Sequence, residues 1–161
     1  MLIRVIRGKK PEVPRPQGGV PTVTPAHPTG HQARRLLLRA LMESKLRTGV
    51  LGAGHLGRIH VQQLREIPAF ELVGFFDPHT EKGKALQAEF GIAPVGSLEE
   101  LIAASDVIDV VTPTLAHHTC AMQALNAGKH VFIEKPIAHT LEEARQLVDT
   151  AKSTGLKVQV G

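Results

Sequence analysis

The sequence predicts a doubly wound α/β domain, a parallel sheet with helices on both faces, preceded by a basic, disordered extension. Three observations carry that expectation. From Lys45 onward, short β-branched or apolar runs alternate with segments of helical period. Runs such as Val107-Ile108-Asp109-Val110-Val111 are nearly continuous in apolar character, as expected of strands covered on both faces. Alternation of this kind implies parallel pairing through right-handed crossovers.

Taken in order, strands are expected over 46–51, 71–76, weakly over 92–95, then 107–111, 130–133 and 156–160. Leu56, Ile59, Leu64 and Ile67 fall at helical spacing after the first strand, and Ala85, Leu86, Ala88 and Phe90 fit a second helix less cleanly. Ser97-Leu98-Glu99-Glu100 and Thr140-Leu141-Glu142-Glu143 each match a capping box, in which hydroxyl and glutamate satisfy free amides at a helix start. They open the third and fifth helices. Residues 116–127 supply the fourth, with Gly128 as its C-terminal stop. No internal repeat of solenoid length is visible.

Composition divides the chain of 161 residues in two. Residues 1–41 hold six of the eleven prolines and eight Lys or Arg against the single acid Glu12, a net charge of +7, whereas residues 42–161 carry a net of −3. The whole-chain charge therefore implies no nucleic-acid affinity for the folded part, and no such partner is expected there. Residues 8–31 are proline-rich and poor in large apolar side chains, so disorder is expected over 1–41 and the domain over 42–161. The leader admits three readings: a basic interaction tail, a targeting peptide, or translation begun upstream of the true start. Arg34-Arg35 followed by Leu36-Leu37-Leu38 resembles an export signal, but Arg39 and Glu43 cut its apolar segment short. Met42 is where a compact version would begin, and the third reading is favoured. A single cysteine, Cys120, permits no internal disulfide, and charges interrupt every apolar run before it could span a bilayer. A soluble, cytoplasmic protein without membrane partners is expected.

The chemistry concentrates at strand ends. The first strand runs into Gly52-Ala53-Gly54-His55-Leu56-Gly57 just before a helical pattern. In such a loop the first glycine permits the tight turn, the second lets a pyrophosphate approach the backbone, and the third lets helix and strand pack closely. Amides at the helix N-terminus face the phosphates, aided by the helix dipole. Asp77 ends the second strand twenty residues beyond Gly57, where an acid accepts hydrogen bonds from a ribose. Its carboxylate would repel a 2′-phosphate, and Pro78-His79 offer no Arg to bind one, so NAD is expected in preference to NADP. His117-His118 are adjacent and have no third ligand at suitable spacing, so no metal is expected. Cys120 reads as helix packing; His60, His130 and His139 read as structural or surface residues.

Two further clusters follow: Thr112-Pro113-Thr114-Leu115-Ala116-His117 after the fourth strand and Glu134-Lys135-Pro136 after the fifth, the latter approached through Ala127 to Val131. With the glycine loop and Asp77 in the same order, residues 45–161 resemble the N-terminal Rossmann domain of the glucose-fructose oxidoreductase, inositol dehydrogenase and MocA (Gfo/Idh/MocA) family. The resemblance implies that Thr112, Pro113 and Thr114 line the dinucleotide path with His117 beside them. It also implies that Glu134, Lys135 and Pro136 reach the nicotinamide end, with Lys135 contacting the substrate oxygen and assisting proton transfer. An ammonium suits that task, because hydride transfer at an alcohol carbon leaves charge on its oxygen.

The family places its substrate-binding residues in a second domain, which this sequence does not contain, ending as it does at Val158-Gln159-Val160-Gly161. What the resemblance implies is thus the cofactor-binding half of an NAD-dependent oxidoreductase acting on a hydroxyl or carbonyl carbon of a sugar, polyol or similar molecule. Turnover by this chain alone is not expected, and its uncovered domain interface could drive self-association. The alternative from another class is a noncatalytic NAD(H)-binding or redox-sensing module with a basic interaction tail. A different two-domain dehydrogenase is a third reading, against which Glu134-Lys135-Pro136 argues.

Overall fold

A computed structural model describes Arg34 and residues 44–161, so the expected leader over 1–41 lies, apart from Arg34, outside the described residues. The described domain runs β1 (Leu46–Leu51), α1 (His55–Glu66), β2 (Phe70–Phe76), α2 (Thr80–Phe90), α3 (Leu98–Ala104), β3 (Val107–Val110), α4 (Thr114–Asn126), β4 (His130–Ile133), α5 (Leu141–Thr154) and β5 (Val158–Val160). All four strand pairings are parallel, in the spatial order β2-β1-β3-β4-β5. The chain leaves β1 toward β2 on one side and returns to place β3 on the other. That reversal makes the β1/β3 boundary the switch point at which open α/β sheets bind ligands.

The core forms two apolar layers, one on each sheet face, because successive strand residues point to opposite sides. Leu51, Ile108 and Val110 pack with Ala121, Leu125, Val131, Ile133 and Leu147 on one face. Val50 and Val111 pack with Val61, Leu64, Phe75 and Leu86 on the other. Fully buried side chains of this size contribute roughly 1.5–3 kcal/mol each before entropy is counted.

The elements differ from expectation where backbone chemistry intervenes. The weak strand over 92–95 is reduced to one bridge between Phe75 and Pro94, where proline has no N–H to extend a ladder; Val95 N still donates to Phe75 O. Helix α4 begins at Thr114, two residues early, with Pro113 as its N-cap. Thr140 and Glu143 form the full reciprocal capping box on α5, and Ser97 accepts from Glu100 N on α3. Helix α2 stops at Gly91, whose φ of 69° is left-handed.

The buried stripe of α1 is also rotated from its expected place. Gly57, His60, Val61 and Leu64 face inward, while Leu56 is 45% exposed and Ile59 and Ile67 are half-buried. Gly57 sets that face, because a Cβ on it would overlap the Gly52 carbonyl. The side that approaches β1 most closely must carry no side chain at this turn, and the residues three, four and seven positions later follow it inward.

Candidate functional site

The glycine loop is held by its neighbours on both sides. Gly52 has a φ of 110°, and a Cβ there would lie 2.7 Å from Val111 O, so this turn tolerates only glycine between β1 and β3. Gly52 N donates to Phe76 O at 2.8 Å, anchoring the loop to the end of β2. Gly54 differs from Gly52 and Gly57. Its backbone is extended and a Cβ on it would meet nothing within 4 Å, so packing within the chain does not explain a glycine there. Open space at this glycine fits the close approach of a pyrophosphate.

Helix α1 begins at that opening without a side-chain cap and with no acid in its first turn. In contrast, α3 and α5 are capped by hydroxyls and carry glutamates in their first turns, whereas α2 and α4 also begin without a side-chain cap. The free amides and dipole of α1 are left for an external anion. Beside the loop, Asp77 is half-buried and accepts from Ala53 N through Oδ2 and from His79 N through Oδ1, both at 2.8 Å. A carboxylate offers about four acceptor positions, so two remain for hydroxyl donors. Asp77 thus serves the turn before α2 and also ties that turn to the phosphate loop.

On the other side of the switch point, Thr112, Pro113 and Thr114 follow β3, and Glu134, Lys135 and Pro136 follow β4 across a cis Lys135–Pro136 bond. His117, 2% exposed, joins these two segments, its Nδ1 2.8 Å from Pro136 O and its Nε2 2.8 Å from Thr112 O. Both ring nitrogens are engaged by backbone carbonyls, so His117 shapes the site by holding its two rims together. Lys135 and Pro136 are exposed, as are His55 and Pro113. Of the four exposed large apolar side chains among the described residues, Leu56, Leu115 and Leu141 stand in the first turns of α1, α4 and α5, at the edge where these loops converge.

Beneath this edge lies a cluster that sequence reasoning missed. His60 on α1 places Nδ1 2.9 Å from Asp109 Oδ2 and Nε2 3.2 Å from Glu134 Oε1, with side chains 8%, 6% and 12% exposed. Asp109 Oδ1 has no hydrogen-bond partner among the described residues. Burial opposes charge on His60, but the hydrogen bond and charge of Asp109, joined by Glu134, outweigh it and raise its pKa above the usual imidazole value. Burial also pushes Asp109 up, against the influence of His60. His60 and Asp109 therefore each retain a proton to higher pH than they would in water. Two signals could have revealed it: Asp109 is the one charge within a buried apolar strand and needs a partner, and His60 is three residues after the inward-facing Gly57.

Cys120 is half-buried on α4, and burial pushes its thiol up, as befits packing rather than reactivity. Among the described residues no group of three or more His, Cys, Asp or Glu is arranged to hold a metal, and no helix is long and apolar enough to cross a membrane.

Residues 46–161 match the family described as "Oxidoreductase family, NAD-binding Rossmann fold" (GFO_IDH_MocA). The chain belongs to the Gfo/Idh/MocA oxidoreductase family. This Gfo/Idh/MocA domain is 39% identical over 116 residues to the UDP-N-acetylglucosamine 3-dehydrogenase of Acidithiobacillus ferrooxidans, covering 72% of the chain and 36% of that protein. A crystal form of the same dehydrogenase superposes with a TM-score of 0.69 at 38% identity, covering 73% of this chain and 38% of that one. The WlbA dehydrogenase of Bordetella pertussis, in complex with NADH and UDP-GlcNAcA, is 28% identical with a TM-score of 0.69, over 74% of this chain and 36% of that one. Biliverdin reductase from Synechocystis, in complex with biliverdin and NADP+, has the same TM-score and identity, over 73% and 38% of the two chains. The chain thus spans little more than a third of the length of these relatives.

Proposed function

We propose that residues 42–161 bind NAD in preference to NADP and form the nicotinamide-binding side of an oxidoreductase that acts on a hydroxyl or carbonyl carbon of a sugar, polyol or similar small molecule. The carrying observation is the convergence, at one switch point, of an open glycine at an uncapped helix start with a carboxylate that keeps acceptor positions free. The pyrophosphate would lie on Gly52, Gly54 and the amides of His55, Leu56 and Gly57; Asp77 would take the adenosine ribose. Thr112, Pro113 and Thr114 would border the path toward Glu134, Lys135 and Pro136, with His117 fixing the distance between these rims.

When bound, the dinucleotide supplies hydride chemistry. The Lys135 ammonium, exposed just past β4, would hold the substrate oxygen and move its proton as charge changes there. Leu56, Leu115 and Leu141 would exclude water once covered by cofactor and by a substrate-binding part, which is also where the small-molecule specificity would reside. A cytoplasmic location, with no nucleic-acid partner for the domain, completes the reading; self-association would follow where these leucines remain uncovered.

Isothermal calorimetry on the full chain tests it. NADH is expected to bind more tightly than NADPH, and tighter NADPH binding, or binding of neither, would overturn the assignment.

A further inference from the structure

Of the buried His60–Asp109–Glu134 cluster only Glu134 enters the reading above, yet through it His60 and Asp109 touch the segment on which that reading depends. Glu134 uses its two oxygens in different directions: Oε1 meets His60 Nε2 at 3.2 Å, and Oε2 accepts from Lys135 N at 3.1 Å. One carboxylate thus connects a buried imidazole with the backbone of the exposed lysine. His60 is in turn fixed by Asp109 at 2.9 Å, and Phe132 closes the cluster with its ring centroid 5.8 Å from that of His60. Asp109 from β3 and Glu134 from the end of β4 are the charged groups that act on His60. β1 and β2 bring apolar Val50 and Phe75 to the same face of the sheet.

We propose that His60 is a positioning residue: held by Asp109, its imidazolium grips Glu134 and sets the orientation of the Glu134–Lys135 segment at the nicotinamide end of the site. The cofactor part of this proposal rests on the function proposed above; the link between His60 and Lys135 does not. An imidazolium can donate to both carboxylates, whereas a neutral imidazole can donate to only one. Loss of the proton therefore forces a choice. Asp109, with its Oδ1 unpartnered, has the greater need of the remaining donor, and Glu134 is released. The link turns protonation of a buried ring into a change at the surface lysine.

The test is nuclear magnetic resonance on the isotopically labelled full chain between pH 5.5 and 9.5, without ligand, following the His60 ring nitrogens and the Lys135 backbone amide. The expected result is a step in the Lys135 amide with the same midpoint as His60. That step should be absent in His60→Gln and preserved in His130→Gln, which alters a histidine hydrogen-bonded to Lys157 N elsewhere. A Lys135 amide that does not respond while His60 titrates in the wild-type chain overturns the proposal, whether or not a variant folds. Asp109→Asn provides a second perturbation and should move the His60 midpoint down together with the Lys135 step; a shift of one without the other also overturns it. NADH affinity should fall about tenfold from pH 6 to pH 9, the scale of one charged hydrogen bond, and this dependence should flatten in His60→Gln. If the wild-type chain binds NADH with no pH dependence, positioning toward the cofactor is refuted. If it binds no NADH at any pH, the proposed function fails, and the amide titration alone decides the role of His60.

Discussion

Gly54→Ala and Gly57→Ala place the same methyl three residues apart in one loop, and the structure assigns them opposite consequences. At Gly57 a Cβ would overlap the Gly52 carbonyl oxygen and lie 2.8 Å from its carbon, against an ordinary contact distance of 3.4–4 Å. Both obstructing atoms are backbone, in a turn that is hydrogen-bonded to Phe76 O and packed against Val111, so no rotamer change relieves them. Helix α1 would have to retreat from β1, opening the contacts of Val61 and Leu64. Overpacking alone costs about 1–3 kcal/mol, and the added loss of helix packing takes the expected destabilisation to about 3 kcal/mol or more. At about 4 °C per kcal/mol, the melting temperature should fall by roughly 12 °C.

At Gly54 the Cβ meets nothing and φ is −77°, so Ala should leave stability within about 1 kcal/mol of wild type. Its methyl would instead occupy the space through which a pyrophosphate approaches, and NADH affinity should fall by roughly tenfold or more, equivalent to about 1.4 kcal/mol. Thermal melts by circular dichroism and calorimetric titration with NADH separate the two effects. A Gly54→Ala chain that melts as early as Gly57→Ala, or that binds NADH within about twofold of wild type, would refute the division between a glycine required by the fold and one required by the ligand.

Other perturbations address the remaining parts of the site. His60→Leu strands the Asp109 carboxyl without its only hydrogen-bond partner among the described residues and should cost about 3–5 kcal/mol in chemical denaturation, with Asp109→Leu in the same chain recovering much of the loss; strict additivity of the two changes would argue against a coupled pair. Because the folded-state pKa of His60 is raised, its stabilising contribution is complete below the unfolded value near 6.5 and is lost as pH rises through the folded value. His130 is shifted down by burial and by Lys157, so its contribution has the opposite sign, lost as pH falls. The informative quantity is the difference in melting temperature between wild type and His60→Gln, which should be largest near pH 6 and shrink toward pH 9; a constant gap would exclude the linkage. Asp77→Asn keeps one acceptor oxygen, so only one of the bonds from Ala53 N and His79 N survives, and it removes the charge; the ratio of NADPH to NADH affinity should therefore rise by about tenfold or more, measured by calorimetry, and an unchanged ratio would show that Asp77 serves only its turn.

Much of this architecture was legible because the relevant physics is local. The glycine loop, the two capping sequences and the alternation of apolar runs each depend on neighbours within a few residues, and the structure places the elements accordingly. The details that were not legible depend on contacts distant in sequence. The rotation of the α1 stripe follows from Gly57 lying against Gly52, and the loss of the strand at 92–95 follows from Pro94 meeting Phe75. His117 was expected beside the cofactor path, but its partners are carbonyls at Thr112 and Pro136, a bond that only the paired strands could bring into reach.

The His60 cluster shows the same limit at its most consequential. Its members lie 49 and 74 residues apart along the chain, so neither spacing nor periodicity relates them. Each is nevertheless anomalous in its own segment: a carboxylate within a buried strand, a histidine on the face that Gly57 turns inward, and a glutamate directed down from an exposed turn. A single buried anomaly would impose a desolvation penalty without compensation, whereas three on adjacent elements partner one another, leaving one oxygen of Asp109 unmatched among the described residues. Buried charges in a sequence are thus best read as a set. Asp109 predicts that a donor must reach β3 from a neighbouring element, α1 faces β3 at His60, and the same ring then has a second nitrogen free to act on the strand end that carries Lys135.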